Sequence, residues 1–191
     1  IRYRTSGSVR SFEEVKVVDA KGEEVPPGVP GEVLSRGASN FVGYYNAPEL
    51  NKEFITEDGW FRAGDIGIFD ELGNLRVIGR VSDVITRGGQ YIYPAKIEEA
   101  LIKHPKVHNV SIIGMPDPKL GQRCCAYIIP MGGESITLDE LRSFLKGEVA
   151  DYELPERLEV VDSFPLGPSA KVLKSKLRDD IVAKLNAEGK I

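Results

Sequence analysis

The chain has 191 residues, 41% of them hydrophobic, with 25 Lys and Arg against 29 Asp and Glu for a net charge of −4. That length exceeds the roughly 100–150 residues of a common single domain, so one large domain or two small ones both fit. The charges are mixed and slightly acidic, which argues against a nucleic-acid partner. No apolar run approaches the roughly 20 residues needed for a membrane span, and the start carries no signal-peptide pattern; the expectation is a cytoplasmic protein.

In chain order, EEVKVVD (13–19) alternates charged and apolar residues, which predicts a half-buried strand. VPPGVPG (25–31) predicts a turn and GEVLSRG (31–37) a second strand. NAPELN (46–51) predicts a short helical turn entered near Pro48. DGWFRAGD (58–65) is dense in Gly and charge and places Asp65 at a strand end; IGIFD and NLRVIG around ELG then predict a hairpin. Residues 1–79 therefore read as a piece of a β-barrel or sandwich.

The texture changes near Gly79. GRVSDVITRGGQYIYP predicts a strand, a glycine turn and a strand. Pro94 opens a helix with Ile97, Ala100, Leu101 and His104 on one face. VHNVSIIGM (107–115) and RCCAYIIP (123–130) predict core strands. Thr137 and Glu140 form a capping-box pattern ahead of a helix carrying Leu138, Leu141, Leu145 and Val149 on one face. RLEVVDSF (157–164) predicts a further strand, and a last helix carries Leu177, Ile181 and Leu185. The fold class is α+β: a partial β-barrel subdomain (1–79), a hinge at 80–82, and a small α+β domain (83–191) with a short sheet flanked by helices.

Cys124 and Cys125 are the only cysteines and lie side by side, a spacing that rarely bridges. Two reduced, buried thiols are expected. With two histidines and no ligand spacing, no metal site is expected.

Three segments are not accounted for by apolar periodicity. In FRAGD, an acidic side chain after Gly, Asp65, is suited to accept hydrogen bonds from two vicinal ribose hydroxyls. In GRVSD…RGGQYIYP, the paired Gly88 and Gly89 permit positive φ and a close approach to the backbone. In PLGPSAK, Lys171 on a Pro/Gly loop is suited to meet carboxylate or phosphate oxygens. Each has a plainer reading: a turn aspartate, an ordinary hairpin, a solvated lysine. Taken singly, the plainer reading is the better one in all three cases.

In this order and spacing, however, the three segments together resemble the adenylate-forming superfamily of acyl-CoA synthetases, aryl-acid ligases, peptide-synthetase adenylation domains and luciferases. FRAGDIG resembles that family's Tyr-Arg-Thr-Gly-Asp motif, GRVSDVITRGGQYIYPAKIEEAL its Gly-Arg hinge motif with the following glycine loop, and SFPLGPSAKVLKSKL its terminal Gly-Lys motif. The resemblance extends through GEVLSRG, GMPD and DELRSFLK to essentially the whole chain, and RGGQYIYP is closer to the CoA-ligase and aryl-acid branch.

The resemblance implies a C-terminal piece of an AMP-forming acid–thiol ligase, which uses ATP and Mg²⁺ to turn a carboxylic acid into acyl-AMP and then CoA to form the thioester. Asp65 and Arg80 would bind nucleotide, Lys171 would be the catalytic lysine of adenylation, and Gly88 and Gly89 would flank the thiol site. Ser82 would be the hinge residue. Ala63, Ser82 and Ala170 depart from the family's usual Thr, Asp or Lys, and Gly. The family's phosphate loop lies upstream, and the chain begins at Ile1 without one. The resemblance therefore implies a missing N-terminal domain of the same chain, no tightly bound cofactor and no activity of this piece alone. Two alternatives stand beside it: an aryl-acid adenylating enzyme that loads a carrier protein, and a non-catalytic module that docks on carrier proteins.

Overall fold

A computed structural model describes residues 5–9 and 11–191. The readings above that fall on residues 1–4 and 10 lie outside the described residues. The chain divides into two compact units, Ile1–Ser82 and Asp83–Ile191.

In the first unit, β1 (Gly7–Ser8), β2 (Glu13–Val18), β3 (Gly31–Gly37), β4 (Phe61–Phe69) and β5 (Asn74–Arg80) form an antiparallel sheet in the order β1-β5-β4-β3-β2. The sheet is open, without closure into a barrel among the described residues. Alternation turns Val18 and Leu34 toward Trp60, and these three form the unit's small buried cluster. The Lys16 Nζ and the Arg36 guanidinium lie 4.2 and 4.6 Å from the centre of the Trp60 ring. Gly31 is required by space, because a Cβ there would sit 2.3 Å from the carbonyl oxygen of Val18. Helix α1 (Pro48–Phe54) has Pro48 at its start, as the NAPELN segment predicts.

The expected short Gly-rich stretch before IGIFD is instead part of one nine-residue strand, β4. Asp65 therefore sits inside a strand and not at its end. The ladder tolerates Gly64, at φ +69°, because the β4–β5 register shifts nearby, between Ile66 and Gly67. The expected strand across GRVSD is also broken: β5 stops at Arg80, and Val81–Asp83 forms a 3-10 turn.

The second unit is built on β9 (Gly121–Pro130). Strand β8 (Val107–Asp117) pairs antiparallel with it, and β10 (Arg157–Val160) runs parallel to it. The hairpin of β6 (Ile85–Arg87) and β7 (Gln90–Ile92) joins at Gly121. Side chains alternate along β9 to opposite faces. Cys124, Ala126 and Ile128 enter one core with α2 (Pro94–Leu101) and α3 (Leu138–Leu145). Cys125 and Tyr127 enter a second core with Leu177, Ile181 and Leu185 of α4 (Lys174–Ala187). Both helical stripes end sooner than periodicity suggests. His104 and Val149 lie in the turns after α2 and α3, although Val149 is still buried. The Thr137 capping box forms in both directions: Thr137 Oγ1 accepts from the Glu140 N–H, and Glu140 Oε2 accepts from the Thr137 N–H.

Candidate active site

Strands β4 and β5 place Asp65 directly opposite Arg80. Arg80 Nη1 lies 3.0 Å from Asp65 Oδ1 and donates to the carbonyl of Ala63 at 2.8 Å. Asp65 is half-buried and Arg80 exposed. The contact from Ala63 is a backbone one that any residue supplies, so the departure at this position costs Arg80 nothing. Next along the strand, Arg62 pairs with Glu32 at 2.6 Å.

Gly88 and Gly89 take φ of +54° and +85° and close the two-residue turn between β6 and β7. Both central residues need positive φ, which is the type I′ pattern that matches strand twist. The Gly88 N–H donates to the carbonyl of Leu120, tying the turn to the start of β9. Behind it, Arg87 Nε and Arg123 Nη1 bond the two carboxylate oxygens of Glu156 at 2.9 and 3.0 Å. A Cβ on Gly89 would meet nothing within 4 Å, so one face of the turn is open to an approaching molecule.

Lys171 lies on a second tight hairpin. The Gly167 N–H donates to the carbonyl of Lys171, the Ala170 N–H to the carbonyl of Gly167, and Leu166 bridges Val172. Pro168 and Ser169 form the bend, and Ala170 follows at φ +57°, where this turn needs a left-handed residue. The Lys171 side chain is exposed and makes no ion pair or hydrogen bond among the described residues. Lys174, three residues on, is held between Glu98 and the Ile112 carbonyl. Sequence reasoning missed this pair, because partners 76 residues apart leave no spacing signal.

Ser82 is exposed in the 3-10 turn, and its neighbour Asp83 pairs with Arg178 of α4 at 3.1 Å. Cys124 and Cys125 are free and buried. Burial, reinforced by the nearby Glu156 charge, pushes the Cys124 thiol up to about 12, and burial moves Cys125 the same way, so neither is a nucleophile in the folded state. A groove of about 860 Å³ in the second unit, edged by Arg157, Glu159 and Glu188, includes none of the candidate site residues Asp65, Arg80, Ser82, Gly88, Gly89 and Lys171. The structure thus brings Asp65 and Arg80 into contact within the first unit, and sets Gly88, Gly89 and Lys171 on two hairpins of the second.

Residues 96–171 match the AMP-binding enzyme C-terminal domain. The chain is similar to the C-terminal portion of adenylate-forming enzymes. It is 38% identical over 186 residues to the medium-chain fatty-acid–CoA ligase of Escherichia coli, covering 96% of this chain and 33% of that relative. It is 36% identical over 176 residues to a mouse medium-chain acyl-CoA ligase named as mitochondrial, covering 92% of this chain and 29% of the relative. Among solved structures, ATP-bound MatB from Rhodopseudomonas palustris superposes with a TM-score of 0.86 at 30% identity, covering 93% of this chain and 35% of the other. The o-succinylbenzoate CoA synthetase of Bacillus subtilis, in complex with its acyl-adenylate intermediate, superposes with a TM-score of 0.83 at 31% identity, covering 93% of this chain and 36% of the other. The chain thus spans about a third of the length of the relatives it matches.

Proposed function

We propose that the chain serves an AMP-forming acid–thiol ligase. In the first half-reaction a carboxylate oxygen attacks the α-phosphate of ATP, pyrophosphate leaves and acyl-AMP forms. In the second, the thiol of CoA attacks the acyl carbonyl, AMP leaves and the thioester forms. The observation that carries this reading is the Lys171 hairpin: an exposed lysine, unpaired among the described residues, at the end of a turn fixed by three backbone hydrogen bonds.

Negative charge accumulates where carboxylate and phosphate meet, and a preorganised cation there lowers the barrier. Lys171 is assigned that role. Asp65 keeps Oδ2 without a partner among the described residues while Oδ1 faces Arg80, which suits it to accept from a ribose hydroxyl. Arg80 holds Asp65 in place and meets the phosphate side of the nucleotide. Mg²⁺ would accompany ATP and offset the charge of the departing pyrophosphate. The open face at Gly89, with Gly88 beside it, suits the passage of a thiol acceptor.

Ser82 is assigned the hinge between a nucleotide-binding unit up to residue 79 and a mobile unit from 83 onward. Rotation there would exchange the Lys171 hairpin for the Gly88–Gly89 turn between half-reactions. The ligase names of the relatives favour CoA over a carrier protein as acceptor. The chain contains no Gly-rich phosphate loop, so we do not expect these 191 residues to complete adenylation unaided. The chain's assigned location is the cytoplasm, although the mouse relative is named as mitochondrial; among the described residues no helix is long and apolar enough to cross a membrane.

The test is Lys171→Ala in a full-length enzyme containing this chain. Pyrophosphate exchange should fall by about 10²–10³, as expected for losing one such electrostatic contact. CoA consumption with supplied acyl-AMP should be largely spared. Equal losses in both half-reactions of a folded variant would refute the two-conformation assignment.

A further inference from the structure

We propose that Lys174 is a positioning residue for the Lys171 hairpin, acting through Glu98 of α2; the inference rests on reading Lys171 as the adenylation lysine. Lys174 is the first residue of α4 and the point where the second leg of the hairpin ends. Its Nζ lies 2.7 Å from Glu98 Oε1 and 3.2 Å from the carbonyl oxygen of Ile112. Glu98 Oε1 also accepts the Ile112 N–H at 2.7 Å. Among the described residues strand β8 pairs with β9 alone, and at Ile112 this one ion pair takes up both backbone groups. The two side chains are only 18% and 23% exposed.

The hairpin therefore hangs from two anchors. Its first leg leaves Phe164, buried in the α4-side core. Its second leg enters Lys174 after the Leu173 N–H bonds the Pro165 carbonyl. Of the other two lysines of this helix, Lys176 is 66% exposed and 4.0 Å from Asp179, and Lys184 pairs with Glu159 and Asp180 at 2.7 Å; Lys174 alone of the three reaches a carboxylate that also holds a β8 backbone N–H. Docking of α4 does not depend on Lys174, since Leu177, Ile181 and Leu185 supply its buried face and Arg178 and Lys184 already tie it to Asp83 and Glu159. A largely desolvated ion pair adds little net stability against an apolar substitute, but it holds its partners to one geometry. Geometry is what a catalytic cation needs, because a displacement of about 1 Å can cost about 10² in rate.

The test compares Lys174→Met, Lys174→Arg and the double variant Glu98→Gln/Lys174→Met in the full-length enzyme, with Lys171→Ala alongside. The double variant leaves a carbonyl acceptor for the Ile112 N–H and no unpaired charge, so it keeps the experiment sound if Lys174→Met fails to fold. Expected are a fall in pyrophosphate exchange of about 10–10², unchanged thioester formation from acyl-AMP, and substantial recovery with Lys174→Arg. Amide exchange at Gly167, Ala170 and Leu173 should quicken by about tenfold while Tyr127 and Ile128 in β9 stay protected. Unchanged exchange in the hairpin, or both half-reactions falling together, overturns the inference. If Lys171→Ala itself leaves adenylation intact, the reading of Lys171 is what fails, and the exchange rates alone then judge the anchor.

Discussion

Ala170 and Asn46 are the two non-glycine residues with positive φ among the described residues. Asparagine tolerates that region; alanine has no polar side chain to compensate. A left-handed alanine costs roughly 1–2 kcal/mol, whereas a glycine adds only about 0.5–1 kcal/mol of unfolded-state entropy. The difference predicts that Ala170→Gly stabilises the second unit by about 0.5–1 kcal/mol, read as a higher urea midpoint with an unchanged slope. A lower midpoint would mean that the methyl group has a partner the geometry does not reveal. A loop alanine looks unremarkable until its φ is known, whereas paired glycines at 88 and 89 announce positive φ directly.

Helix α3 was the most legible element, because everything that defines its start is local. Thr137 and Glu140 lie three residues apart and satisfy each other's N–H groups. Lys106, from before β8, then adds an ion pair to the same carboxylate at 2.7 Å. The Lys106 ammonium, followed by the Thr137 N–H, holds the Glu140 carboxyl down at about 2 against its ordinary 4.5. A carboxyl depressed by folding contributes stability that is complete above 4.5 and disappears as pH falls toward 2. Glu140→Gln should therefore flatten part of the acid-side fall in urea midpoint over that interval and change its shape little above it. Only part is removed, because Glu188, held low by Arg157 and Lys190, titrates over the same interval. An unaltered profile would show the box to be equally sound with a neutral partner. The less legible elements depend on distant chain. The place of β10 beside β9, the strand interior around Asp65 and the Lys174–Glu98 tie all join segments that carry no mutual signal in sequence. The motif order marked Asp65, Arg80, the two glycines and Lys171. It could not reveal that Arg80 is fixed by a backbone carbonyl, or that the lysine loop has a charged anchor.

At the scale of the whole molecule, the chain packs as two units that meet in sequence between Ser82 and Asp83. Among the described residues, each buried apolar cluster draws its members from one unit alone. The 3-10 turn Val81–Asp83 contributes nothing to any of them and is exposed at Ser82. Limited proteolysis should therefore cut near 80–83 and leave a folded piece that begins close to Asp83, seen by mass spectrometry and retained helical signal. Loss of all structure on that cut would show that the second core cannot stand without the first. The ion pairs respect the same division: Arg80 turns back to Asp65, while Asp83 turns forward to Arg178. A genetic crossover falling at Val81 or Ser82 would thus separate no buried apolar pair and no ion pair among the described residues. A segment exchanged downstream of that point would carry both buried clusters of the second unit with it, whole.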